Sequence, residues 1–92
     1  YAQEVCAVIA TERYIAAVID VRLKSGEPEH CIVVKDIVTD KVFSRVFLDI
    51  QPDAIIYGNS LLTVQRDELG LYTEVASFNL QNESTRLLYK CT

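Results

Sequence analysis

Residues 33–49 read VVKDIVTDKVFSRVFLD, and residues 75–91 read VASFNLQNESTRLLYKC. Each begins as an apolar strand, reaches an Asx residue (Asp36, Asn79) followed by one apolar residue, crosses a polar turn and resumes as an apolar strand. The two stretches are offset by about 43 residues. Self-similarity at a period of about 40 to 45 residues, with four short strands per period, is the pattern of a β-propeller blade.

Outward from these stretches the same alternation continues. Short runs of Val, Ile, Tyr, Phe and Leu are separated by turn-forming residues, and no window sustains apolar positions at helical spacing without β-branched crowding. The expectation is an all-β chain with strands at 5–10, 14–23, 31–38, 42–48, 54–57, 60–66, 72–80 and 85–91. Thr11-Glu12-Arg13 and Gly58-Asn59 read as tight turns, and Thr39-Asp40-Lys41 and residues 81–84 as the polar turns that follow the Asx positions. The stretch RDELGLYTEVASFNL (66–80) then divides into a middle loop and the third strand of a second unit, matching the loop at Gly26 and the strand at Cys31. The predicted organisation is two four-stranded antiparallel blades, about 5–48 and about 54–91, forming part of a larger propeller.

Residues 15–19 (IAAVI) and 31–34 (CIVV) are apolar at every position, as strands covered on both faces should be, whereas 42–47 (VFSRVF) is mixed, as an outer strand would be. Propellers close with four to eight blades, so two blades leave faces without cover and predict association of the isolated chain.

Composition narrows the partners. Of 92 residues, 50% are hydrophobic and 24% charged, ordinary for a packed domain. The net charge of −4, with acidic and basic residues interspersed, gives no basic stripe for nucleic acid or an anionic membrane surface. No apolar run approaches the ~20 residues of a spanning helix, and the first residues do not read as a signal peptide. The chain opens on Tyr1 and contains no Met, which suggests a processed or excised portion of something longer. Three widely spaced cysteines, Cys6, Cys31 and Cys91, cannot all pair internally and favour a reducing, cytoplasmic setting. They read as small buried hydrophobes, not as ligands or nucleophiles, and no metal or cofactor is expected. His30 adjoins Cys31, and adjacency argues against a Cys-His dyad. Asn82-Glu83-Ser84 matches a glycosylation sequon, but such triplets arise by chance and the cysteine count lends no secretory support. RDEL at 66–69 is a retention address only at a C-terminus.

Taken over nearly its whole length, the chain resembles the N-terminal propeller of the prolyl oligopeptidase family of serine peptidases, the oligopeptidase B branch in particular. YIAAVID (14–20) stands where that family has an apolar strand ending in Asp, and VVKDIVTDK (33–41) where it has a Val-Lys-Asp strand and a Thr-Gly turn. LLTVQRDE (61–68) matches a strand ending in Asp-Glu, Val75 the valine of the next strand, and LLYKC (87–91) the last strand. Departures are Thr11-Glu12-Arg13 in place of a Ser-Pro-Asp turn, Asp40 in place of the turn Gly, and Gly70-Leu71 in place of Arg-Pro. The resemblance implies a parent in which a Ser-Asp-His hydrolase domain does the chemistry while the propeller admits only short peptides.

No catalytic residue can be placed here. Gly26, Gly58 and Gly70 are too far apart for a G-x-S-x-G nucleophile elbow, so the chain alone is expected to have no peptidase activity. The candidate partner surfaces are the charged middle loops, Glu27, Glu29 and His30 in one unit and Arg66, Asp67 and Glu68 in the other, where a propeller would meet the hydrolase domain. The competing readings are a free-standing β-sandwich interaction module, with one polar face per strand, and a protein-binding propeller without an enzyme domain.

Overall fold

A computed structural model describes residues 2–22, 25–26, 28–48 and 51–90. Among these the chain is all-β: eight strands form two four-stranded antiparallel sheets, each in sequential order. β1 (Ala2–Ala10), β2 (Tyr14–Arg22), β3 (Pro28–Asp36) and β4 (Val42–Leu48) make the first, and β5 (Asp53–Tyr57), β6 (Ser60–Arg66), β7 (Tyr72–Asn79) and β8 (Thr85–Lys90) the second. They fall in two compact units, Tyr1–Gln51 and Pro52–Thr92.

The Asx positions define the repeat. Asp36 Oδ1 accepts the backbone N–H groups of Val38 and Thr39, and Asn79 Oδ1 accepts those of Gln81 and Asn82. Backbone closure is the same in both: the amides of Asp36 and Asp40 donate to the carbonyls of Lys41 and Asp36, and those of Asn79 and Glu83 to Ser84 and Asn79. Four residues after each Asx, Asp40 and Glu83 both have φ of 61°. The amide after each Asx also reaches the hairpin before the second strand, Ile37 to the Arg13 carbonyl and Leu80 to the Asn59 carbonyl. In the first unit the Arg13 guanidinium adds a two-pronged ion pair to Asp36, 3.1 Å at the closest pair of atoms. That guanidinium, assisted by the Val38 and Thr39 amides and opposed by burial, holds the Asp36 carboxyl below its ordinary range.

This turn corrects two boundaries. Ile37 and Val38 leave the expected third strand because the carboxylate two residues back captures the amide a further ladder would need. At its other end β3 begins at Pro28, since Pro28 and Glu29, expected in a loop, pair with Arg22 and Val21. Leu23 and Cys91, expected at strand ends, lie outside the described residues.

The first sheet has two different faces. On one, Tyr14, Ala16 and Val18 of β2 pair with Asp36, Val34 and Ile32 of β3, Val34 pairs with Phe43 of β4, and all are buried. On the other, Val5 and Val8 of β1, Ile15, Ala17 and Ile19 of β2, Cys31 and Val33 of β3, and Val42 and Val46 of β4 are apolar yet none is buried. Along β4, Arg45 and Lys41 lie over the Phe47 and Phe43 rings at 5.6 and 5.7 Å, their stems shielding an outer strand. In the second sheet Leu61 and Thr63 of β6 and Ala76 of β7 are buried, while every residue of β8 is exposed. Gly58, the first of two residues linking β5 to β6, has φ of 60°, which suits a hairpin turn with a left-handed first position.

Equal dihedrals at Asp40 and Glu83 have unequal consequences, because Asp tolerates the left-handed region better than Glu. Glu83→Gly is expected to raise stability by roughly 0.5–1 kcal/mol in urea unfolding, with Asp40→Gly giving a smaller gain. A loss of stability in Glu83→Gly would show that the left-handed turn is not held in solution.

Candidate functional site

A pocket in the first unit forms where β1 and β3 begin and β2 ends. Its volume is about 310 Å³ and its walls are Gln3 and Glu4 of β1, Asp20, Val21 and Arg22 of β2, and Glu29 and His30 of β3. Antiparallel register puts these groups together: Asp20 pairs with both Glu4 and His30, and Val21 with Gln3 and Glu29.

His30 is buried, with 7% of its surface exposed, and its Nδ1 lies 2.5 Å from Asp20 Oδ1. A buried imidazole needs a polar partner, and Asp20 supplies one from the neighbouring strand. Burial raises the Asp20 carboxyl, but hydrogen bonds from the Cys6 thiol and His30, with the charges of His30 and Arg22, carry it below its ordinary value. Cys6 sits at the bulge of β1, between Val5 and Ala7, so it faces solvent and is not the buried hydrophobe expected. Desolvation, then the hydrogen bond and charge of Asp20, push its thiol up.

The chemistry of the pocket follows from that order of groups. The His30 imidazole bonds to Asp20 while the Cys6 thiol donates to the Glu4 carbonyl at 3.7 Å, and a thiol of raised pKa is a poor nucleophile. Cys31, next to His30, pairs with Ile19 and Val46 on the opposite face of the sheet, and burial together with Glu29 raises its thiol as well. No group of three His, Cys, Asp or Glu side chains among the described residues could hold a metal ion. The side chains that line the pocket are suited to hydrogen bonding and charge pairing.

The six residues singled out in the sequence fall in different settings. Glu29 and His30 stand on β3, not in the loop, and meet in the pocket, while Glu27 lies outside the described residues. In the other unit Arg66 ends β6, pairs with Asp53 of β5 and covers the Tyr72 ring at 5.5 Å. Asp67 is a turn residue, its carboxylate accepting the amides of Leu69 and Leu71, and Glu68 is exposed beside it. Asp67 thus shapes its own loop, and Arg66 ties β6 to β5. Sequence reading missed Asp20, whose signal is its position as the polar end of an otherwise apolar strand, two residues before Arg22.

No family model, curated protein or solved structure matches the chain. No helix among the described residues is long and apolar enough to cross a membrane.

Because the Asp20 carboxyl lies below its ordinary value of 3.8, the stability it contributes is present above that pH and is lost as pH falls through the folded value. Asp20→Asn should therefore flatten the acid side of a plot of urea midpoint against pH. At neutral pH Asp20→Ala should cost about 1–3 kcal/mol by taking the Asp20 partner from a buried imidazole. An unchanged acid slope in Asp20→Asn would remove Asp20 from the pH dependence.

Proposed function

We propose that these two sheets are consecutive blades of a β-propeller that gates access of short peptides to an oligopeptidase-like serine hydrolase domain. The observation that carries this reading is the mostly apolar character of both faces of the first sheet, Lys35 and Ser44 being polar members of the uncovered one. Val8 and Val46 on its uncovered face are 66% and 52% exposed, and Val5, Val42 and Ile15 are exposed beside them. A β-sandwich module would present an alternating polar face there, whereas a blade needs a neighbour on each side.

The repeated Asx turn supports the same reading, since each unit closes the link from its third to its fourth strand with one arrangement. Departure from the family's Thr-Gly turn is also accounted for: Asp40 stands at a left-handed position, which Gly suits and Asp tolerates. In this account the hydrolase domain supplies nucleophile, base and acid. The blades supply size exclusion, and the charged residues Glu29, Arg66, Asp67 and Glu68 belong to the strand ends and loops from which a partner domain would be met.

The isolated chain should associate through its uncovered face. Light scattering on the purified chain is expected to give a mass above that of one copy, and Val8→Lys with Val46→Lys should return it to monomer with unchanged β circular dichroism. A cooperative wild-type monomer that binds no apolar dye would contradict the blade reading. Gating further requires that, in a chain joining these blades to a hydrolase domain, cleavage falls off with peptide length; equal cleavage of short peptides and unfolded proteins would contradict it.

A further inference from the structure

The turn between β7 and β8 carries a second feature, independent of the blade argument. Asn82, Glu83 and Ser84 are all exposed at its tip. The Ser84 hydroxyl donates to Asn82 Oδ1 at 2.6 Å, and the Ser84 amide donates to the same oxygen at 3.0 Å. These bonds engage the side-chain oxygen and hold the asparagine amide and the hydroxyl two residues on against one another, the two groups that an Asn-x-Ser acceptor must present.

The first unit shows that the fold does not require this pair. At the corresponding positions of the β3–β4 turn stand Thr39, Asp40 and Lys41. There Thr39 Oγ1 accepts the Lys41 amide at 3.4 Å, replacing the Asn82 oxygen, and the left-handed residue keeps its φ of 61°. One backbone turn is thus closed with a sequon in one repeat and without it in the other. Asn82 and Ser84 are free to serve another purpose.

We propose that Asn82 is an acceptor site for an N-linked glycan, the donor being an oligosaccharide carried on a polyprenyl diphosphate. Asn82 Nδ2 attacks the anomeric carbon of the first sugar. The N–C bond forms as the bond from that carbon to the diphosphate oxygen breaks, the amide gives up one proton, and polyprenyl diphosphate leaves with the electron pair. A glycan fits here because the tip lies beyond the strand ladder and every residue from Gln81 to Lys90 is exposed, so a bulky substituent displaces no core contact.

The test is expression of the full chain behind a secretion signal in eukaryotic cells, with intact mass measured before and after peptide-N-glycosidase on both secreted and cell-retained material. A glycosidase-sensitive mass increase is expected for the wild-type chain and for Ser84→Thr. It should be absent from Asn82→Thr and Ser84→Lys, which carry the first unit's residues and should keep the wild-type melting temperature. Wild-type chain of unmodified mass in both fractions would overturn the proposal, as would a glycan that persists in Asn82→Thr.

Discussion

A short polar side chain that captures two backbone amides just past its own position stops one strand and starts the next in each sheet. Asp36 does this with a carboxylate and Asn79 with an amide oxygen, and the chain then turns through a left-handed residue at the same distance in both. Register depends on it. A slip of one residue at this turn would exchange the two faces of β4 or β8, putting Val42 and Val46 where Phe43 and Phe47 are now buried. The bond from the following amide to the preceding hairpin, Ile37 to Arg13 and Leu80 to Asn59, ties three of the four strands of each unit at one end.

With that end closed, the opposite end of the first sheet is where polar groups can gather. Asp20 and His30 meet there by register, and a bulge in β1 displaces Cys6 from the regular alternation. The group satisfies a buried imidazole and lines an open pocket, but it lacks an activated nucleophile. On the face away from the buried Tyr14, Ile32 and Val34, the side chains of Val5, Val8, Ile15, Val42 and Val46 stay exposed.

Much of the architecture was legible because two periodicities coincided. Strand alternation marked β4 and β6 to the residue, and the Asp36–Asn79 correspondence marked the repeat. Apolar character misled at Ile37 and Val38, where a local carboxylate overrides strand propensity, and polar character misled at Pro28 and Glu29, which pair in the ladder despite their composition. The pocket was only half visible. Glu29 and His30 drew attention by charge, but their partner Asp20 comes from the preceding strand, across a connection whose length does not announce the register. Arg66 and Asp67 drew attention for the same reason; Arg66 pairs with Asp53 of β5, and Asp67 accepts the amides of Leu69 and Leu71. Cys6 defied the usual burial of cysteine because a bulge, which no composition signals, turns it outward.

Amide hydrogen exchange at Ile37 and Leu80 tests the repeated Asx turn most directly. Both amides should be protected in the native chain, with Asp36→Ala abolishing protection at Ile37 while leaving Leu80 protected, and Asn79→Ala doing the reverse. Exchange at the unprotected rate at either amide in the native chain would contradict the claim that one turn builds both units.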